Sequence, residues 1–267
     1  MRLLVLGAVV LLLVVMPGQA QLASPSVTGV SFAHVHLNVA DVEVHKRLWV
    51  DHFDGALVEK GPLTAVKIPG MFVVFTERPP TGNSEGSVMD HFGFKVRNIA
   101  EVLEGWRAAG LEVESEFTGA EGFDNAYLIA PDGVKIELQE DTGLSVKAAA
   151  YHVHFFTRGH VELMDWYIDL FSAVQRARGT HPNTADVPGI NLSFNGSRGD
   201  RAHTQGRAID HIGFEVDDLK AFCEMLEARG ITLQVAYREI LSIELAIAFF
   251  IDPSGVRIEL TEGFDKY

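Results

Sequence analysis

The sequence predicts an α+β protein built from four β-α-β-β-β units, two in each of two homologous halves. Three observations carry this prediction. Landmark motifs return at a near-constant offset, each quarter repeats the same order of strand and helix patterns, and histidines and glutamates recur at matching strand positions.

"FAHVHLNV" begins at residue 32 and "AYHVHFFT" at 150, so His34 and His152 lie 118 residues apart. "IPGMFVVF" at 68–75 returns as "VPGINLSF" at 187–194, with Pro69 and Pro188 119 apart. "MDHFGFKV" returns as "IDHIGFEV", and His91 and His211 are 120 apart. "APDGVKIELQE" returns as "DPSGVRIELTE", and Glu137 and Glu259 are 122 apart. Four landmarks in one order define two halves, 30–143 and 148–264, joined by the small and polar "DTGLSVKAAA".

Each half divides again. "HVHLNV", "HFGFKV", "HVHFFT" and "HIGFEV" are apolar runs rich in β-branched and aromatic residues, which read as strands. A helix pattern follows each. In the second, Asn98 caps, Glu101 stands three residues on, Ile99, Val102, Trp106 and Ala109 recur at helical spacing, and Gly110 closes. Asp217 through Gly230 repeats that layout. Strand-like runs such as "LEVESEF", "NAYLIA" and "VKIELQE" complete the units. Trp49, Trp106 and Trp166 fall on the helices and read as core residues.

Composition narrows the function classes. The chain has 267 residues, 47% of them hydrophobic, enough for a sizeable core. A formal net charge of −14 without a basic run argues against nucleic acid or an anionic membrane as partner. Residues 1–20 have the layout of a secretory signal peptide: Arg2, an apolar run from Leu3 to Met16, then Pro17, Gly18 and a small-residue cleavage position at Ala20. An uncleaved anchor is the alternative, disfavoured because the run is shorter than the ~20 residues that span a bilayer. The mature protein is expected to be exported, periplasmic or extracellular, and soluble. Its single cysteine, Cys223, excludes an internal disulfide and reads as a small buried side chain on a helix.

The histidines carry the chemistry. Side chains two apart on a strand share a face, so His34 and His36 point together, as do His152 and His154. His91 and His211 stand on the first strand of the next unit. Glu137 and Glu259 each sit between isoleucine and leucine on a closing strand, where a lone carboxylate is strongly disfavoured. Two imidazoles and one carboxylate form a metal triad that leaves positions open for substrate, water or dioxygen. Solvent-facing polar positions on a sheet are the bland alternative. A curled sheet is needed to bring such ligands together.

These residues reach a resemblance. "HVHLNVAD" opening a β-α-β-β-β unit, "DHIGFEV" opening the next and "DPSGVRIELTE" closing it resemble the vicinal oxygen chelate superfamily. That group includes glyoxalase I, extradiol dioxygenases, fosfomycin-resistance proteins and bleomycin-binding proteins. The resemblance covers almost the whole mature chain and implies paired units curled into half-barrel cups around a divalent metal: iron, manganese, zinc or nickel. It implies metal ligands at His34, His91 and Glu137 in the first half and at His152, His211 and Glu259 in the second. His36 and His154 have no fixed role in that pattern and are expected to line the cups as acids, bases or alternative ligands.

The sequence departs from each specific activity. A glyoxalase-type fourth ligand is expected after the Pro-Gly turn, where Phe72 and Val74 stand in one half and Asn191 and Ser193 in the other. Export also argues against a glutathione-dependent activity. The tyrosine typical of extradiol enzymes is matched by Tyr127 but replaced by Phe249, and their extra histidine has only His203 as a counterpart. Asn191, Ser193, Arg198, Arg201 and His203 suggest a polar cup mouth in the second half, with an ordinary solvated loop as the simpler reading. The expected function is an exported metal-dependent enzyme, dioxygenase-like or lyase- or isomerase-like, acting on a small oxygen-rich substrate. The alternative is a small-molecule binding protein of the bleomycin-resistance type. A third reading makes one half catalytic and the other structural. The sequence leaves the reaction, the metal and a homodimer open.

Overall fold

The computed structural model describes residues 22–267; the signal-peptide reading falls outside the described residues. The four expected units are all present. Unit one is β1 (Val30–Val39), α1 (Val42–Phe53), β2 (Ala56–Lys60), β3 (Leu63–Ile68) and β4 (Met71–Glu77). Unit two is β5 (Met89–Val96), α2 (Ile99–Ala108), β6 (Glu112–Thr118), β7 (Asp124–Ala130) and β8 (Val134–Glu140). Unit three is β9 (Ala148–Thr157), α3 (His160–Phe171), β10 (Val174–Gln175), β11 (Thr184–Val187) and β12 (Ile190–Gly196). Unit four is β13 (Ile209–Val216), α4 (Leu219–Ala228), β14 (Leu233–Ile240), β15 (Leu245–Ile251) and β16 (Arg257–Glu262).

Local chemistry sets the helix starts. Asp41, Asn98 and Asp218 each accept a hydrogen bond from the backbone N–H three residues on, which satisfies an otherwise orphaned donor. Trp49 and Trp106 are fully buried, while Trp166 packs half-buried against the same core. Cys223 is buried, and burial pushes its thiol up to about 11.

The pairing of units differs from the expected one. One eight-stranded sheet runs β14-β15-β16-β13-β1-β4-β3-β2, and the other runs β10-β11-β12-β9-β5-β8-β7-β6. Unit one therefore closes on unit four, and unit two on unit three; neither half builds a cup by itself. The links explain this. The short link 141–147 keeps β8 and β9 in one sheet, where β9 runs antiparallel to β5. The links 78–88 and 197–208 cross between sheets and brace each other. Thr81 N donates to Gly206 O at 2.8 Å, Ala208 N to Gly82 O at 2.9 Å and Val88 N to Ala202 O at 2.9 Å.

Among the described residues, no helix is long and apolar enough to cross a membrane.

Two candidate metal centres

Three adjacent strands place each set of donors. In the first sheet His34 pairs with Gly213, Gly213 with Glu259, and His36 with His211. In the second, His152 pairs with Gly93, Gly93 with Glu137, and His154 with His91. Neighbouring strands lie roughly 4.8 Å apart, so histidine and glutamate two strands away meet only if the middle position is empty. Glycine empties it. A Cβ on Gly213 would lie 2.0 Å from the His34 ring, and one on Gly93 would lie 2.5 Å from the His152 ring. The glycine of each "HFGF" and "HIGF" motif is thus the cradle of a histidine from the other half of the chain.

The result is two clusters: His34, His36, His211 and Glu259 in one, and His91, Glu137, His152 and His154 in the other. The triads expected within each half are corrected: His34 shares its cluster with His211 and Glu259, and His152 with His91 and Glu137. The physical reason is the strand pairing across halves. His36 and His154, without a fixed role by resemblance, stand inside the donor sets.

In the first cluster His34 Nε2 and His211 Nε2 lie 3.0 and 2.9 Å from Glu259 Oε2. In the second, His91 Nε2 and His152 Nε2 lie 3.1 and 3.0 Å from Glu137 Oε2, and His154 Nδ1 lies 2.9 Å from His91 Nε2. A metal with ligand bonds of about 2.1 Å holds adjacent donors about 3 Å apart, so both spacings fit one. Protonation fits at His34, His36, His152 and His154, which burial lowers. Burial keeps His36 and His154 well below the ordinary imidazole range and lowers His152 to about 4. Against desolvation, histidine hydrogen bonds hold Glu259 low, while the charge and hydrogen bond of His152 lead in holding Glu137 low. Neutral imidazole and ionised carboxylate are the forms that bind metal.

Two aspartates that sequence reasoning missed orient the central histidines. Asp210 Oδ1 lies 2.6 Å from His211 Nδ1, and Asp90 Oδ1 lies 3.0 Å from His91 Nδ1. Despite burial, these bonds raise both histidines above the usual value. Each aspartate is fixed by an arginine, Arg257 at 2.9 Å and Arg201 at 3.0 Å. A carboxylate behind a ligating histidine fixes its tautomer and strengthens it as a donor. The signal was the "DH" dipeptide in both repeats.

The surroundings diverge. The first cluster faces a cavity of about 140 Å³ lined by Leu63, Val74, Ile243, Leu245, Ile247 and Phe264. Phe264 stacks on His34 with ring centroids 5.0 Å apart. Nδ1 of both His34 and His36 is buried without a partner, and His36 Nε2 lies 2.8 Å from Thr76 Oγ1. The second cluster is wholly buried among polar groups. Asn125 donates to Glu137 Oε1 at 2.7 Å, Asn195 Nδ2 lies 2.9 Å from His154 Nε2, and His181 Nε2 lies 3.3 Å from that atom.

Phe72 and Val74 stand beside His34 and His36, and Asn191 and Ser193 beside His152 and His154, so no carboxylate occupies the glyoxalase-type position in either sheet. Tyr127 and Phe249 lie opposite Glu137 and Glu259, each with its ring edge-on to the aspartate-held histidine. Arg201 serves the second cluster through Asp90, while Arg198 is exposed. His203 is exposed, packs over Gly255 and belongs to neither cluster.

The family model described as Glyoxalase/Bleomycin resistance protein/Dioxygenase superfamily matches residues 150–260. That segment belongs to this superfamily. It comprises units three and four, which the fold divides between its two sheets. Glyoxalase I from Zea mays is 15% identical and superposes with a TM-score of 0.68, over 89% of this chain and 94% of that one. A candidate dioxygenase from Bacillus subtilis is 12% identical with a TM-score of 0.68, over 92% of this chain and 88% of that one. At these identities the likeness establishes the superfamily's paired half-barrel fold over nearly the whole described chain. No curated protein matches the sequence.

Proposed function

We propose that this chain is an exported enzyme of the superfamily that binds neighbouring oxygens of a small substrate to a divalent ion, iron, manganese, zinc or nickel, at His34, His211 and Glu259. The observation that carries the proposal is the convergence of two imidazole nitrogens on one carboxylate oxygen at 2.9 and 3.0 Å, against an apolar cavity. Export rests on the apolar leader of residues 1–20. The family's fold and the glyoxalase I and dioxygenase relatives support an enzyme; they do not select a reaction.

A bound divalent ion would act as a Lewis acid on the coordinated oxygens. The chain supplies the rest. The cavity walls hold the apolar part of the substrate and exclude water. Asp210 fixes His211, and Phe264 fixes the plane of His34. Burial keeps His36 neutral, and with its Nε2–H donated to Thr76 the unpartnered Nδ1 would accept a proton from the substrate. A small substrate with an apolar body and two adjacent oxygens is the best match to this wall.

The test combines metal analysis with a screen of hydroxyketones, catechols and 2-oxoaldehydes. Glu259→Gln is expected to remove metal from the first cluster and abolish turnover. His36→Gln is expected to keep the metal and lower kcat by roughly 10²- to 10⁴-fold. Metal-free protein that also refuses added metal would refute the proposal.

A further inference from the structure

A loop found beside only one cluster carries a cation into the site. In unit one, β2 and β3 are joined by Gly61 and Pro62; in unit three, β10 and β11 are joined by residues 176–183. The longer loop folds back through paired backbone hydrogen bonds between Arg178 and His181, each 2.9 Å. It docks on unit two, where Thr180 N donates to Ala120 O at 3.0 Å. Gly179 has φ +56°, and a Cβ there would lie 2.0 Å from Ala120 O, so the approach requires glycine.

Docking turns Arg178 inward. Its side chain is 9% exposed, and its nearest carboxylate, Glu121, is 3.9 Å away. The guanidinium lies 4.9 Å over the Tyr151 ring, and Nη1 lies 3.3 Å from His152 Nδ1. Its Nε is buried with no hydrogen-bond partner. A guanidinium has five N–H donors and no acceptor, and burying unmatched donors is costly. Metal ligation sharpens the mismatch. When His152 ligates through Nε2, its neutral ring keeps its one hydrogen on Nδ1, which then no longer accepts from Arg178. Glu121 balances the charge at 3.9 Å, and the buried donors still lack an acceptor.

We propose that Arg178, with His181 and Asn195 beside His154, forms an anion subsite on the second cluster. The ligand drawn there carries a carboxylate or phosphate-type oxyanion next to its metal-binding oxygen. This rests on the metal reading of that cluster. The first cluster's cavity has no lysine or arginine among its lining residues, so the two centres take ligands of different charge.

The experiment uses Glu259→Gln protein, which leaves only the second cluster able to bind metal. It is loaded with Mn(II) and titrated calorimetrically with glycolate, its neutral analogue ethylene glycol, and inorganic phosphate. Glycolate is expected to bind at least about tenfold tighter than ethylene glycol. Arg178→Met should erase that preference, Arg178→Lys should keep part of it, and one Mn(II) should remain bound in both. Phosphate tighter than glycolate, with the same dependence on Arg178, would support the subsite and assign it to a free inorganic anion. Unchanged glycolate affinity in Arg178→Met would overturn the subsite. Failure of the Glu259→Gln protein to bind Mn(II) would instead overturn the metal reading, and the subsite with it.

Discussion

The two clusters present the same donors on the same strand positions in opposite surroundings. Around the first stand Phe72, Val74, Ile247 and Phe249; at the corresponding places around the second stand Asn191, Ser193, Asn125 and Tyr127. The first centre leaves Nδ1 of His34 without a partner beside a cavity, while Asp210 holds His211 and Thr76 holds His36. The second ties every donor to an outer group: Asp90, Asn125, Asn195 and Arg178. The internal repeat thus keeps the histidine and glutamate donor sets and varies what lies around them. In a low-dielectric cup an ion acts strongly on its ligand; in a polar cup the protein's own charges select the ligand.

The comparison can be broken at the glycines, where the largest effect is expected. Gly213→Ala should drive His34 aside and remove one equivalent of metal, and Gly93→Ala should do the same to the other centre through His152. Elemental analysis of each variant checks this; unchanged stoichiometry would mean that the cross-half row is not what seats the ligands. Next in size is the support of the central histidines. Asp210→Asn and Asp90→Asn should each weaken metal binding by roughly 10- to 100-fold at their own centre, measured by competition with a chelator.

A third test sharpens the first centre through its apolar wall. Phe264 is buried between His34 and Phe72. Phe264→Ala should cost about 3 to 5 kcal/mol in denaturant unfolding and loosen only the first centre.

A fourth test concerns Glu215, which accepts from Gly263 N at 2.6 Å and Phe264 N at 3.0 Å and so clamps the segment bearing Phe264. Burial raises its carboxyl from 4.5 to about 7. The stability this group contributes is therefore full below pH 4.5 and is lost as the pH rises through 7. The loss is about 3 kcal/mol at most, at 1.36 kcal/mol per pKa unit. Glu215→Gln should flatten stability across that range, as followed by unfolding at several pH values. A slope unchanged from wild type would contradict the assignment.

Much of this was legible in the sequence. Four units, the Asn98 cap and the eight clustered residues, six of them as ligands and His36 and His154 without a fixed role, were named from the repeat, because strand alternation and capping are local. The partner of each unit was not legible. "HVHLNV" and "HVHFFT" open equivalent units, so β1 could pair with β5 as readily as with β13 on local grounds; the short link at 141–147 is what decides. Arg178 was missed for a related reason. It lies in a loop without periodicity, and its role arises only where Gly179 meets Ala120 on another unit.

Metal content in single variants tests the central claim most directly. The account predicts two equivalents in the wild type and one in Glu259→Gln, His34→Ala and Glu137→Gln. Adding His34→Ala to Glu259→Gln should remove nothing more, while adding it to Glu137→Gln should remove the last ion. If His34→Ala instead removed the same ion as Glu137→Gln, each half would hold its own metal and the cross-half centres would be wrong.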